Sequence, residues 1–196
     1  KVNFTKEQLW QAMAELGPHP KKWSDIDPSL PDYEISIMVP PPTSGTRDAW
    51  HSLVMKKGCP KDILEKEGKK KCNLMREDGA IIEAGENDTL IVQKLQGDNE
   101  KFGIFGYSYY DSNRDKAIAH TIDGVEISLE GIQDGSYPIS RPLYFYAKMQ
   151  HEQVIPGFKE YIKLFMSEKA IGPRGFLTDT GLIPLAEGEV AIKPIK

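Results

Sequence analysis

Apolar positions fall into helical register from the start of the chain. Leu9, Ala12, Met13 and Leu16 share one face of a helix. Thr5-Lys6-Glu7-Gln8 reads as a capping box, with a hydroxyl at the N-cap and an amide three residues on. Gly17-Pro18 stops this helix, and a loop rich in Pro, Asp and Ser follows from Trp23 to Asp32. Between Glu34 and Val39 the pattern switches to alternation, with Ile35, Ile37 and Val39 on one side, which predicts a strand. Pro40-Pro41-Pro42 ends it, because proline cannot donate to a ladder. After Thr43-Ser44-Gly45-Thr46, the stripe Ala49, Trp50, Leu53 and Val54 predicts a helix over Arg47–Lys57. The segment is thus a strand, a tight loop and a helix.

Residues 58–71 read as a basic loop, and Arg76-Glu77-Asp78-Gly79 as a turn. Asn87 is a good N-cap for a helix over Asp88–Leu95, whose apolar residues are Leu90, Ile91, Val92 and Leu95. Phe102–Tyr110, apolar and aromatic around Gly103 and Gly106, predicts a short buried strand with close backbone approach. Short strands are expected within Ile118–Ile127, around the hairpin-type turn Asp123-Gly124. Leu143–Tyr146 carries a strand signal. Phe158, Tyr161, Ile162 and Phe165 form the clearest amphipathic stripe of the chain, closed by Gly172-Pro173. The tail from Gly175 reads as short turns. Helices and strands are mixed throughout, so the predicted class is α/β.

Composition narrows the function classes. A chain of 196 residues with 39% hydrophobic and 28% charged residues fits a globular protein rather than a disordered, collagen-like or coiled-coil one. A net charge of −4 argues against general nucleic-acid binding, which needs a basic face. It leaves room for a small anion held by local dipoles. Cys59 and Cys72 are the only cysteines; they make neither a zinc site nor a CxxC redox motif. By themselves they are equally readable as two reduced thiols or as one disulfide closing the lysine-rich segment.

The strongest candidate for chemistry is Thr43-Ser44-Gly45-Thr46-Arg47-Asp48. A loop after a strand that opens a helix presents unpartnered backbone N–H groups and the positive end of the helix dipole. Gly45 lets the backbone approach a ligand, Ser44 and Thr46 add hydroxyls, Arg47 offers a bidentate fork, and Asp48 could hold that guanidinium. The bland alternative is an ordinary serine N-cap; no Gly-Lys-Ser/Thr follows, so this is not a Walker A loop. His19, His51, His120 and His151 are scattered, without metal spacing, and read as solvated or capping residues. The aspartates at 25, 27 and 32 do not match an EF-hand. Trp10, Trp23, Trp50, Tyr107, Tyr109 and Tyr110 read as core rather than as a sugar platform. No nucleophile elbow or metal pair is visible, so neither a catalytic residue, a metal nor a cofactor is expected.

Several segments, taken in order, resemble the phosphate-binding proteins that serve ABC-type phosphate importers. Val39–Asp48 resembles their central anion loop. Glu83–Asp88, running into Val92-Gln93-Lys94-Leu95, resembles the glycine–asparagine helix start downstream. Phe102-Gly103-Ile104-Phe105-Gly106-Tyr107 resembles the Gly-Ile-Gly-Tyr strand, Tyr137–Tyr146 the return strand, and Trp23-Ser24-Asp25 the early tryptophan loop. The resemblance implies a two-lobed type II periplasmic binding fold. Residues 1–137 would be the inserted lobe carrying the anion loop, and residues 138–196 a return strand, helix and tail belonging to the other lobe. It implies that Ser44, Gly45 and Thr46 contact phosphate, with Thr43, Asp48, Asn87 and Arg141 in support. The arginine that many relatives carry before this loop is replaced here by the proline run, so Arg47 is expected to stand in for it. The resemblance further implies an exported or periplasmic protein, and with that oxidising setting a Cys59–Cys72 disulfide. The implied partners are inorganic phosphate and the membrane subunits of an importer, with self-association or a complementing N-terminal fragment to complete the second lobe. A phosphate-ester hydrolase or a sensory or interaction module on the same oxyanion loop are the rival readings.

Overall fold

The computed structural model describes residues 1–185. The chain folds as two compact units, one of Lys1–Ile127 with Tyr137–Ile139, the other of Ser128–Ser136 with the chain from Ser140.

The first unit opens with strand β1 (Asn3–Phe4) and helix α1 (Lys6–Met13). Thr5 caps α1 as the sequence predicts: its hydroxyl accepts from the Gln8 amide at 3.1 Å, and the Gln8 side chain accepts from the Thr5 amide at 2.9 Å. The helix stops earlier than Gly17-Pro18 suggests. Ala14 turns extended (ψ 141°) and bridges to Met75, so Leu16 lies beyond the helix. Leu9, Trp10, Ala12 and Met13 are buried.

Strands β2 (Ile37–Val39), β3 (Ile81–Glu83) and β4 (Phe102–Gly103) form a parallel sheet in the order β3-β2-β4, with Ile37 opposite both Ile81 and Phe102. The predicted strand at Glu34–Val39 is therefore shortened to its last three residues, and all three are buried. A central parallel strand is covered on both faces, which removes the alternation expected of a half-buried one. β3 lacks a sequence signal because three residues are too few to display a period. The predicted strand at Phe102–Tyr110 is likewise only β4; after it the chain turns into a short helix over Tyr107–Asp111. Gly103 does permit the close approach expected of it: a Cβ there would lie 2.7 Å from Ile91 Cγ2. Met38, Ala84 and Ile91 form a core cluster, with Ile82, Leu95 and Phe105 packed against it.

A second parallel pair joins β1 to β5 (Thr121–Ile122), ending at the Asp123-Gly124 turn. The rings of Phe4, Trp23, Phe102 and His120 pack at centroid distances from 4.6 to 5.7 Å and bring this pair against β4. Trp10 and Trp23 are core residues as predicted; Trp50, Tyr107, Tyr109 and Tyr110 are half-buried.

After β2, helix α2 (Gly45–Trp50) runs through a π turn (His51–Met55) into α3 (Lys56–Gly58). Gly58 lies against α1, where an added Cβ would meet Lys6 O at 2.0 Å. The segment read as a basic loop is instead helix α4 (Lys61–Cys72), kinked at Gly68 (φ 79°). Its Lys and Glu residues are strong helix formers, and Asp62 in the first turn and Lys69–Lys71 in the last suit the helix dipole. It carries no apolar stripe to betray it. Cys59 and Cys72 are joined by a disulfide, with Cα atoms 5.9 Å apart, at the two ends of α4. Trp10 Nε1 donates to Cys72 O at 3.0 Å and ties that end to α1. Arg76, read only as a turn residue, is buried: it donates to Ala12 O and Pro20 O and pairs with Asp78 at 2.6 Å.

The second unit holds the short helix α7 (Leu129–Gln133), α8 (Phe158–Phe165) and α9 (Glu168–Ile171). The amphipathic helix appears where predicted but breaks at Met166 and resumes as α9, because Ser167 is extended (ψ 153°). Leu143–Tyr146 is not a strand. Among the described residues no ladder partner lies beside it, and a strand needs one. Phe145 instead stacks on Phe165 of α8 at 4.5 Å.

Candidate functional site

Each strand of the three-stranded parallel sheet leads from its carboxyl end into a helix. Residues 40–44 join β2 to α2, residues 84–87 join β3 to α5 (Asp88–Gln96), and residues 104–106 join β4 to α6 (Tyr107–Asp111). Ligands of open α/β sheets bind at this edge, because the strands deliver loops and helix N-termini to one place. The backbone N–H groups there lack helical partners and carry partial positive charge.

Ser44 is the N-cap of α2, and its Oγ accepts from the Thr46 amide at 3.2 Å. That is the capping role the bland reading assigns. A capping hydroxyl keeps its own proton, so Ser44 can still donate to an anion. Thr43 Oγ1 donates to Glu86 Oε1 at 2.6 Å and links the loop after β2 to the loop after β3. Gly85 (φ 87°) turns that second loop, and Asn87 caps α5 through its side chain, accepting from the Thr89 amide at 2.9 Å. The predicted residues Thr43, Ser44, Gly45, Thr46, Arg47, Asp48 and Asn87 therefore lie at one edge of one sheet. Arg141 belongs to the second unit, where it is exposed.

Arg47 departs most from the expectation. Its side chain is only 9% exposed. NH1 donates to Pro40 O at 2.9 Å, Nε donates to His51 Nε2 at 3.0 Å, and NH1 lies 3.9 Å from Glu83 Oε1. The guanidinium is thus seated on the carboxyl ends of β2 and β3. Its neighbours are Pro40, His51 and Glu83 rather than the expected Asp48, which is exposed on the outer side of the helix. Burial lowers the Arg47 pKa, opposed by the Glu83 charge. The site therefore holds a largely buried cation whose nearest carboxylate, Glu83, is 3.9 Å away and more than half exposed, so water screens part of that pairing and leaves the guanidinium able to attract an anion.

Sequence reasoning missed His51, Glu83, Glu86 and Asp88. His51 was within reach, since positions 47 and 51 face each other one helical turn apart. The carboxylates could be placed only once β3 was seen beside β2. Asp88 is half-buried, with its pKa raised by desolvation and one oxygen 3.4 Å from the Gly106 amide. Carboxylates around an anion site can accept a proton from a monoprotonated oxyanion, whereas fully ionised sulfate offers none. Among the described residues no group of His, Cys, Asp or Glu converges as metal ligands would.

A model of the PBP superfamily domain matches residues 1–169. The phosphate-binding protein PstS of Staphylococcus saprophyticus is 30% identical over 171 residues, which is 85% of this chain and 46% of that protein. Protein SphX of Synechocystis is 25% identical, covering 92% of this chain and 48% of its own length. The chain thus spans about half the length of these relatives. Among solved structures, a possible phosphate binding protein from Planctomyces limnophilus superposes with a TM-score of 0.63 at 26% identity, covering 94% of this chain and 60% of that one. PstS from Borrelia burgdorferi shares the fold with a TM-score of 0.64 at 15% identity, over 95% of this chain and 65% of that one.

Proposed function

This chain belongs to the PBP superfamily, and we propose that it forms part of a non-catalytic oxyanion receptor that binds inorganic phosphate for an ABC-type importer. The observation that carries the reading is the desolvated Arg47 guanidinium at the sheet edge from which three helices start. Ser44, Gly45 and Thr46 replace the water of the anion with fixed donors, and Arg47 supplies charge. Thr43 and Asn87 hold the two loops in place, and Asp48 lies on the same helix as Arg47. Capture without chemistry follows from the donor set: hydroxyls, amides and a guanidinium hold an anion, and no activated nucleophile stands among them.

In this reading residues 1–137 are one lobe. Residues from 138 on belong to another lobe, completed by polypeptide that the longer relatives carry, a complementing fragment or a second copy of this chain. Closure of two lobes on the anion would present one conformation to the membrane subunits. The protein would work outside the cytoplasm, where a Cys59–Cys72 disulfide persists.

Titration of the chain with inorganic phosphate by calorimetry tests this. Saturable binding is expected, with no turnover of a phosphate ester. Arg47→Ala should weaken binding by about 1.5–3 kcal/mol, the worth of hydrogen bonds to a charged group. Ester turnover lost on Ser44→Ala would sink the reading in favour of a hydrolase.

A further inference from the structure

Arg47 and His51 sit one turn apart, at the junction where α2 becomes a π turn. Widened turns of this kind often mark functional positions, because they re-aim side chains. Here the geometry dictates the protonation of the imidazole. Arginine has donors only, so the 3.0 Å contact between Arg47 Nε and His51 Nε2 requires Nε2 to be a bare acceptor. His51 is then neutral, with its proton on Nδ1. Together with the Pro40 carbonyl, which accepts from NH1, this acceptor fixes the plane of the guanidinium with two hydrogen bonds on two different nitrogens.

We propose that His51 is a positioning residue: its neutral imidazole orients the Arg47 guanidinium at the carboxyl edge of the sheet, and protonation of the imidazole releases it. The consequence for anion binding rests on the function proposed above. A protonated imidazole has no acceptor and places a second positive charge against the guanidinium, so this hydrogen bond cannot survive protonation. The charged groups around the pair are Arg47 and Asp48 on the same helix, with Glu83 of β3 facing Arg47. Burial and the Arg47 charge lower the His51 pKa, while Asp48 raises it. At neutral pH the orienting form is therefore the populated one, and acid is what unlocks it.

Two measurements on the full chain test this. The first follows the Arg47 Nε–H by nitrogen-15 NMR without ligand, in wild type, His51→Ala and His51→Gln. Glutamine restores a neutral acceptor that does not titrate. A protected Nε–H signal is expected in wild type at neutral pH, lost on acidification and in His51→Ala, and retained through the acid range in His51→Gln. The second measures inorganic phosphate affinity at neutral pH. His51→Ala should weaken it about tenfold, as loss of a ligand-orienting partner does, His51→Gln should recover most of it, and His51→Ala added to Arg47→Ala should change little further. An Nε–H signal unaffected by His51→Ala overturns the proposal, as does an equal loss of affinity with and without Arg47, which would mark a merely structural histidine. If wild type binds no phosphate while the NMR signals behave as expected, the orienting role stands and the phosphate reading is what fails.

Discussion

The two units spend similar apolar residues in opposite ways. In the first, Met38, Val39, Val54, Ile91 and Trp23 are sealed from water at 1% exposure or less. In the second, Leu143 and Tyr144 are each 71% exposed and Tyr146 69%, and among its described residues Ala170 is the one buried hydrophobic. The reason is topological. A parallel strand needs neighbours and helices on its faces before its side chains leave water. The first unit assembles both from its own sequence. The second supplies an amphipathic helix and an apolar segment but among its described residues pairs no strand with them. The contrast teaches that an apolar pattern specifies a face to be covered, while the cover has to come from somewhere in the fold.

Four experiments can break or sharpen that contrast. The largest effect is expected at Gly58, where a Cβ would stand 2.0 Å from the Lys6 carbonyl oxygen. Gly58→Ala should cost roughly 3 kcal/mol or more, because backbone atoms of two packed helices cannot move apart cheaply. A near-unchanged denaturation midpoint would mean that the first unit is far looser than its packing implies. Reducing the disulfide between Cys59 and Cys72, whose separation is 13 residues, should remove about 3 kcal/mol on the loop-closure argument. The loss should fall on the first unit alone, since both cysteines lie there; amide exchange with and without reductant reads it unit by unit.

His120 gives a smaller, pH-dependent effect. Burial, and then the positive charges at Lys1, depress its pKa to about 4 from 6.5. Its Nδ1 accepts from the Val2 amide at 3.0 Å, which requires an unprotonated nitrogen. The unfolded chain takes up a proton near 6.5 and the folded one does not. Stability contributed by His120 is therefore full above pH 6.5 and is lost as pH falls toward 4, by about 1–3 kcal/mol after allowance for its partial exposure. His120→Phe should flatten that slope. The smallest effect is expected in the second unit. Leu143→Ser should change stability by less than about 0.5 kcal/mol, because the side chain is already in water. A loss of several kcal/mol would show that this face is covered in solution.

Much of the first unit was legible. The Thr5 capping box, the strand–loop–helix at residues 37–58 and the Asn87 cap each depend on neighbours a few residues away, so they can be read locally. The missed elements had no local signature. Helix α4 has no apolar stripe, β3 is too short for a period, and the strand signal at Leu143–Tyr146 was real as a pattern but met no ladder partner among the described residues. At the candidate site, the hydroxyls and glycine of the loop were visible as a motif. The surroundings of Arg47 were not, apart from the one-turn spacing to His51.

The sequence by itself determined the α/β class, the capped helix starts and the residues of the loop at 43–48, because these follow from propensity, capping chemistry and periodicity. Only the tertiary structure decided that Glu83 would lie beside Pro40, that Arg47 would turn inward to both and to His51 instead of toward Asp48, and that Cys59 would meet Cys72 across a helix rather than a loop. Those choices depend on which strands pair and in what register, and such long-range contacts are set by the burial of the whole core, not by any short stretch of chain.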